Sequence, residues 1–418
     1  MVETGTSTGF RAAGQAARES YGKLLALLSR DSRDIATAED ALSFAFAKAL
    51  ETWPARGVPD SPEAWILATA RRNLIDASRH RQVRLKLQAT LELITPGLMD
   101  QPGALPDERL KLMFACAHPA IDQSIRAPLM LQTLLGLDAA EIAPAFLVSP
   151  SAMAQRLVRA KAKIKSAGIR FEVPGLDQLP ARLGCVLSAI YAAYGRGWDS
   201  VDGAATDRRE LAAEAIYLGR LVCLLLPEAA EAHGLLALML YCEARQPARR
   251  DATGAYIPLD SQDTGSWNRE MLAEAGNALR TAARLSAPGR YQTEAAIQSV
   301  HCEAIITGKS QTTILTMLYD VLAGQAPVAG VIVSRAIAHA DLSGPIAGLD
   351  LLDAADDGKM RNYQPWWAAR AELLRRAGRF TDAQEAYDMA IGLSEDRGVR
   401  DWLGKRKKSP ASSQSQQP

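Results

Sequence analysis

One predicted helix of this chain carries five basic residues, which makes it the segment best suited to binding nucleic acid. No acidic residue interrupts them, and they are Arg156, Arg159, Lys161, Lys163 and Lys165. Ser149 can cap the start of this helix, and Pro150 then occupies its first position, where the missing N–H is not needed. A helix of this kind can place its first side chains on base edges and its later cations on phosphates. The segment therefore predicts a DNA-reading helix.

A shorter helix precedes the basic one at the spacing of a helix-turn-helix. Asp138 can cap it, and Glu141 three residues later completes a capping box. Leu147 and Val148 form the turn between the two helices. Pro144 falls inside the first helix, where an interior proline costs about 3 kcal/mol. Two outcomes are open: a kink that reorients the reading helix, or absorption of the proline near the start of the first helix.

A second basic block lies nearer the N-terminus. Between Arg71 and Lys86 the chain has six basic residues and a single acid, Asp76. This block belongs to a predicted helix that Ser61 caps, after a loop rich in proline and glycine at 53–62. The whole chain carries a net charge of only +1, so the two blocks predict local contacts with nucleic acid and not a uniformly basic surface.

The remaining composition argues against several classes of protein. The five cysteines are widely spaced, and the sequence has no signal peptide and no apolar run long enough to cross a membrane, which predicts a reduced, cytoplasmic protein. The pairs Cys116/His118 and His301/Cys302 offer too few ligands for a metal site. There is no phosphate-binding glycine loop, no nucleophile elbow and no H-E-x-x-H motif, so we expect no catalysis, no metal and no cofactor.

Apolar residues recur with a helical period along the chain while strand signals are nearly absent, which predicts an all-α fold. The sequence predicts six segments: a disordered N-terminus at 1–14, a helical domain at 15–92, a linker at 93–106, a helix-turn-helix domain at 107–172, a helical extension at 173–403 and a disordered tail at 404–418. Within the second domain we expect helices near 107–117, 122–135, 138–147 and 149–167.

One part of the extension has the spacing of a tetratricopeptide helix pair. Small and large side chains alternate on two neighbouring predicted helices, first at Trp367, Ala371 and Leu374 and then at Ala383, Tyr387 and Ala390. A single pair cannot bury its own apolar face, so further pairs must stack on it. The pattern favours an α-solenoid, and an ordinary helical bundle is the alternative.

The order of these parts resembles an extracytoplasmic-function (ECF) sigma factor of bacterial RNA polymerase. The matching stretches are DIATAEDALSFAFAKALETWPARGVPDSPEAWILATARRNLIDASRHR, LKLMFACAHPAI and EIAPAFLVSPSAMAQRLVRAKAKIKSAGIRF. The extension is similar to the subgroup with a tetratricopeptide-like C-terminal region. The resemblance implies sigma region 2 at 15–92, sigma region 4 at 107–172 and a function in promoter recognition without any cofactor.

The resemblance also implies roles for individual residues. The side chains that would dock on core RNA polymerase are Glu39, Asp40, Phe44, Phe46 and Lys48. Those that would contact the −10 promoter element are Trp53, Arg56, Arg71, Arg72, Asn73 and Arg79. Those that would contact the −35 element are Ser149, Ser151, Met153, Gln155, Arg156, Arg159, Lys161 and Lys163. The expected partners are core polymerase, promoter DNA, and a regulatory protein or ligand at the extension.

Two stretches depart from the pattern of that family. Ser43 and Phe44 stand where its members tend to have a polar pair, and Gly195–Trp198 replaces an Asn-Glu-Gly-Tyr-like motif. A second hypothesis is therefore a DNA-binding regulator with a tetratricopeptide-like scaffold that does not engage polymerase. A third makes the extension an enzyme or a ligand receptor, which only its size supports.

Overall fold

A computed structural model describes residues 3–32, 34–85, 107–146, 148–166, 174–198, 205–358 and 360–408. In this part of the chain the fold is all-helical, and the β structure is limited to one isolated bridge between Arg250 and Tyr256. The helices form two compact units, with the boundary between Leu225 and Leu226. The prediction of an all-α protein is confirmed.

The first unit contains helices α1 to α9. Their bounds are α1 Glu3–Ser32, α2 Ile35–Arg56, α3 Pro62–Leu85, α4 Glu108–Cys116, α5 Gln123–Leu135, α6 Ala139–Ile142, α7 Pro150–Ser166, α8 Leu179–Trp198 and α9 Ala205–Leu225. A 3-10 turn at Ala143–Phe146 continues directly from α6.

Helices α1 to α3 pack around one apolar core. Leu25, Leu42, Trp53 and Ile66 are among its fully buried side chains. Asp34 caps α2 by accepting hydrogen bonds from two backbone N–H groups of its first turn. Local caps and apolar spacing therefore account for this three-helix arrangement.

Helix α1 also packs against α4 and α5, which belong to the predicted second domain. The closest approach is at Gly22, where a Cβ atom would lie 1.7 Å from the backbone carbonyl oxygen of Leu134. Only glycine allows the two backbones to come so near. The two domains expected at 15–92 and 107–172 are thus parts of one compact unit. The expected linker at 93–106 lies outside the described residues.

Helices α8 and α9 belong to this same unit, although the sequence analysis placed them in the extension. Helix α8 packs against α5 and α9, and it buries Val186, Ile190 and Tyr194. The buried guanidinium of Arg182 donates to the Phe114 carbonyl at 3.0 Å. The predicted start of a separate extension at residue 173 is therefore wrong, because α8 completes the core formed by α4 and α5.

The second unit contains the remaining helices. Their bounds are α10 Ala230–Ala244, α11 Arg269–Arg284, α12 Arg290–Thr307, α13 Thr312–Gln325, α14 Ala329–Ser343, α15 Pro345–Ala354, α16 Gln364–Arg376, α17 Phe380–Leu393 and α18 Arg397–Lys408. Consecutive helices pack on one another through most of this unit.

The helix pair predicted from the small–large–small spacing is present as α16 and α17. Ala383, Tyr387 and Ala390 are all buried against α16. Gly378 makes the turn with φ +75°, a backbone conformation that favours glycine. On α16 the fully buried tryptophan is Trp366, and the expected Trp367 is only half-buried.

Parts of the two segments predicted to be disordered are helical where the structure describes them. Helix α1 begins at Glu3, and it buries Ala13 and Ala16 in the core. Helix α18 continues to Lys408 because Leu403 is buried and Lys407 pairs with Asp388. Residues 409–418 of the predicted tail lie outside the described chain.

Candidate DNA-binding and docking surfaces

The helix-turn-helix is formed by α6, the 3-10 turn and α7. The capping box is complete: the Glu141 N–H donates to Asp138 Oδ1 at 2.8 Å, and the Asp138 N–H donates to Glu141 Oε2 at 2.9 Å. Ser149 caps α7 through a hydrogen bond from the Ala152 N–H to its hydroxyl oxygen, at 3.3 Å. The sequence prediction of both caps is confirmed.

Of the two outcomes open for Pro144, a kink in the interior of a helix is not what the structure shows. The α-helix ends at Ile142, and Pro144 lies exposed in the 3-10 turn that follows. A short 3-10 turn tolerates proline because few helical hydrogen bonds remain to be lost there. The predicted helix at 138–147 is therefore four residues of α-helix plus a turn.

Helix α7 presents most of its predicted DNA contacts to solvent. The exposed members are Ser149, Ser151, Gln155, Arg156, Arg159 and Lys163. The opposite face buries Leu157 and Ile164 against the rest of the unit. Met153 was predicted to contact a base, and this prediction is wrong because its side chain is only 1% exposed and belongs to the buried face.

Lys161 is the exception among the cations of α7. Its Nζ donates to both carboxylate oxygens of Glu39 on α2, each at 2.7 Å. The two side chains are only 22% and 18% exposed, so the pair is largely shielded from solvent. One predicted DNA contact and one predicted polymerase contact are thus paired with each other across the unit.

The other predicted docking residues on α2 divide between surface and core. Asp40 and Lys48 are exposed, and Phe44 leaves 42% of its surface open to solvent. Phe46 is half-buried and stacks on Tyr21 with ring centroids 6.5 Å apart. The exposed docking surface of α2 therefore consists of Asp40, of Lys48 paired with Glu51 at 2.8 Å, and of one exposed phenylalanine.

The residues predicted to contact the −10 element also lie partly in the core and partly on the surface. Trp53 is 1% exposed and packs edge-on against Trp65 at 5.5 Å, so its prediction as a DNA contact is wrong. The expected loop at this point is the last turn of α2, which continues through Pro54 to Arg56. The tryptophan is consequently a core residue of the three-helix arrangement.

Five further residues of the predicted −10 surface lie at the end of α2 and on α3. Arg56 and Arg72 are exposed. Arg71 donates to Asp31 of α1 at 2.9 Å, and Asn73 is half-buried. The backbone of Arg79 lies in α3, and its side chain is outside the described part of the structure. Arg56 and Arg72 are the cations best placed for an outside partner.

Polar contacts of the α8–α9 pair with α4 and α6 were missed by the sequence analysis. Arg196 pairs with Glu141, the capping-box residue of α6, at 3.3 Å. Arg109 of α4 forms an ion pair with Glu214 of α9. These partners are far apart in sequence, so no local pattern could have revealed them. One contact ties α6 of the helix-turn-helix to α8, and the other ties α4 to α9.

Burial shifts the pKa values of two titratable groups in this unit. Burial, with a smaller contribution from nearby Glu39, raises the pKa of Tyr21 to about 12. Burial likewise raises the pKa of the Cys116 thiol to about 12, so it stays protonated and unreactive. In the described residues no group of three or more His, Cys, Asp or Glu side chains could hold a metal ion.

Comparison with known proteins gives a family and no activity. Residues 182–283 match the model of DUF6596, a family of unknown function. A protein of Rhizobium meliloti (strain 1021), named only as uncharacterized, is 35% identical over 376 residues, which are 88% of each chain. The chain belongs to the same family as this protein. No solved structure matches it.

The segment shared with DUF6596 starts in α8 and ends in α11. It therefore includes Arg182 and Arg196, the two arginines that α8 directs at α4 and α6. No helix in the described ranges is both long and apolar enough for a membrane span.

Proposed function

We propose that this chain is an ECF-type sigma factor. In this proposal it binds core RNA polymerase, recognises the −35 and −10 promoter elements and starts transcription, and its C-terminal tetratricopeptide-like helices regulate it. It acts in the cytoplasm by binding alone, without catalysis or cofactor.

The observation that carries the proposal is the exposed face of α7. This helix follows a capped helix and a tight turn, and five of its solvent-facing side chains are Ser151, Gln155, Arg156, Arg159 and Lys163. Gln155 and Arg156 lie in its N-terminal half and have the donors and acceptors that read base edges. Arg159 and Lys163, one and two turns farther on, suit phosphates and carry little sequence information.

The free surface of α2 supports a polymerase contact. Phe44 is an exposed aromatic side chain next to charged Asp40 and Lys48, and a buried aromatic anchor with charged neighbours is a common hot spot of protein interfaces. Arg56, the last residue of α2, and Arg72 on α3 supply cations for the −10 strand of the same promoter.

Binding to core polymerase tests the proposal. Phe44→Ala should weaken binding of the full chain about tenfold or more, because the partner loses an aromatic anchor. Leu224→Ala is the matched control, since Leu224 is 76% exposed on α9 of the same unit and has no proposed role. Wild-type protein that shows no binding to core polymerase contradicts the proposal.

A second candidate function has one specific observation in its favour. Glu39 is engaged by Lys161 and Phe46 is half-buried, so two of the five predicted docking residues are not free. This arrangement suits a DNA-binding regulator that uses its C-terminal helices as a scaffold and does not engage polymerase. DNA binding without any affinity for core polymerase would favour it.

A further inference from the structure

Helix α18, the last helix of the second unit, is strongly basic. Six of its twelve residues are cations, and Asp401 is its single acid. The whole chain has a net charge of only +1, so this charge is a local concentration and not part of a uniformly basic surface. Such a concentration of one sign attracts partners of the opposite charge. The six cations are Arg397, Arg400, Lys405, Arg406, Lys407 and Lys408.

The second unit holds α18 at its start and along its inner face. Asp396 caps the helix by accepting a hydrogen bond from a backbone N–H of the first turn at 3.1 Å, and it also pairs with Arg250 at 2.5 Å. Leu403 is buried in the core of the unit. The ring of Trp402 meets that of Tyr256 edge-on, with centroids 6.1 Å apart. The outer face of the helix is therefore presented in a defined orientation.

The six cations divide between the inner and the outer side of α18. Two are half-buried: Lys407 donates to both carboxylate oxygens of Asp388, at 2.5 and 2.6 Å, and the Arg406 guanidinium lies 5.5 Å from the centroid of the Trp402 ring. The other four are exposed, and their spacing of three, five and three residues keeps them on one side of an α-helix. These four, here called the α18 cations, are Arg397, Arg400, Lys405 and Lys408.

The helix dipole does not account for all of this charge. Cations are favourable in the last turn of a helix, which explains Lys405 and Lys408. Arg397 and Arg400 lie in the first turn, where the positive end of the dipole disfavours them. Arg397 pairs with Asp401 at 3.9 Å, but the two side chains are 87% and 66% exposed, so this pair adds little stability. The two arginines therefore have no stabilising role that explains their position.

The chemistry of the outer face favours phosphates over a protein or a bilayer surface. The structure describes all of α18, and none of its large apolar side chains is exposed. A protein interface has an apolar core with aromatic anchors, and a membrane-surface helix inserts an apolar face. The α18 cations offer neither, and they suit a partner that consists mainly of negative charge.

Among nucleic acids, the outer face suits a duplex better than a single strand. Proteins that bind single strands stack the bases on exposed aromatic side chains. The aromatic ring of α18, Trp402, is instead half-buried between Arg406 and Tyr256. The α18 cations extend over about 17 Å of helix, and each strand of a duplex carries a phosphate about every 3.4 Å along its axis. A row of this length meets phosphates in any register.

We propose that the α18 cations bind the phosphate backbone of duplex DNA. The contact is independent of sequence, and it adds to the affinity that α7 supplies. This inference rests on the proposed function for the identity of the DNA as promoter DNA. It gives the second unit a direct part in DNA binding.

Removal of three α18 cations from the full chain tests the contact. The α18 variant combines Arg400→Gln, Lys405→Gln and Lys408→Gln. The matched control combines Arg269→Gln, Arg284→Gln and Lys309→Gln, which removes three exposed cations from other parts of the same unit and changes the net charge equally. The probe is a mixed-sequence duplex of about 30 base pairs, about 100 Å long, and its affinity is measured over a range of salt concentrations.

The α18 variant should bind the duplex about tenfold or more weakly than wild type at 0.1 M salt. Its salt slope should fall by about 2.7, the value of three phosphate contacts, whereas the control should keep the wild-type slope. Equal slopes for the α18 variant and the control overturn the inference. Circular dichroism establishes that the α18 variant is folded. If it is not, Lys408→Gln at the last residue of α18 decides alone, with an expected fall of about 0.9.

A variant of α7 distinguishes failure of this inference from failure of the proposed function. Arg159→Gln with Lys163→Gln removes two cations proposed to contact phosphates. A smaller slope in the α7 variant and an unchanged slope in the α18 variant overturn the α18 contact and leave the proposed function standing. The opposite pattern supports the α18 contact and contradicts the DNA-binding role of α7. If the wild-type chain does not bind the duplex, the inference is wrong, and binding to core polymerase still tests the proposed function.

Competition distinguishes DNA from an acidic protein as the partner. Unlabelled duplex should displace the probe at a lower concentration of charge than poly-L-glutamate does, because the α18 cations lack the apolar neighbours of a protein interface. Equal displacement by the two polymers at the same concentration of charge would contradict duplex DNA as the preferred partner.

Discussion

The guanidinium of Arg182 on α8 donates a hydrogen bond to the backbone carbonyl of Phe114 on α4, 68 positions earlier in the chain, at 3.0 Å. The same side chain donates to Gln178 and is only 7% exposed. Phe114 lies near the C-terminal end of α4, where helical carbonyl groups lack partners within the helix. The first helix after the helix-turn-helix is therefore a structural part of the unit that holds it.

Removal of this guanidinium should destabilise the first unit. Arg182→Met keeps most of the side-chain volume but leaves the Phe114 carbonyl without its partner, which costs about 1–3 kcal/mol. Arg72→Met is the control, because Arg72 is exposed and a change there should stay within about 0.5 kcal/mol. Urea unfolding of the two variants, monitored by circular dichroism, gives their midpoints. Equal midpoints would show that the buried hydrogen bond adds nothing to the free energy of unfolding.

Two truncated chains test whether the extension begins before α8 or after α9. A chain that ends after Leu225 retains α8 and α9 and should unfold cooperatively, whereas a chain that ends at Gly175 exposes the apolar face of α4 and α5. Hydrogen exchange of the α4 and α5 amides measures the difference. Equal protection in the two truncated chains would contradict the structural role of α8.

Much of the helix-turn-helix was predictable from the sequence because its signals are local. Asp138 with Glu141, and Ser149 with Pro150, fix two helix starts within a few residues of each other. The positions of α4 and α5 were predictable for the same reason, since Asp107 and Asp122 cap them.

The missed features depend on contacts between distant parts of the chain. Lys161 and Glu39 are 122 residues apart, and nothing near either residue indicates the other. Trp53 stands in a stretch rich in proline and glycine that is typical of a loop, yet its burial against Trp65 extends α2 past Pro54. Tertiary packing overrides local propensity at these positions.

Arg156 and Arg159 should differ in what they do to DNA binding. Arg156→Ala should lower the preference for the recognised −35 sequence over unrelated DNA by about 1–3 kcal/mol, the value of one good base contact. Arg159→Ala should weaken both equally and reduce the salt slope by about 0.9, as expected for a phosphate contact. Fluorescence anisotropy with both duplexes distinguishes these outcomes, and the same pattern for both variants would contradict the division of roles.

His301 should make the stability of the second unit depend on pH. Burial, with a smaller contribution from the charge of Arg245, lowers its pKa to about 4. The unfolded chain therefore takes up a proton near pH 6.5 that the folded chain does not, and stability falls as the pH drops from about 6.5 towards 4. The loss between pH 7 and pH 5 should be about 2 kcal/mol.

The matching variant is His301→Gln, which keeps an amide able to hydrogen-bond with the Tyr319 hydroxyl, 3.3 Å from the histidine ring nitrogen. Urea unfolding of both proteins at the two pH values measures the difference in free energy of unfolding. The free energy of unfolding of the variant should lack the part of the pH dependence that His301 contributes. An identical loss of stability in the two proteins would assign the pH dependence to other groups.

Transcription with purified components tests the central claim most directly. The full chain, core RNA polymerase and total genomic DNA are combined, and the 5′ ends of the transcripts are mapped. We predict transcripts that depend on the chain, start downstream of a common pair of sequence elements and disappear with Arg156→Ala. Transcripts that are the same with and without the chain would contradict its function as a sigma factor.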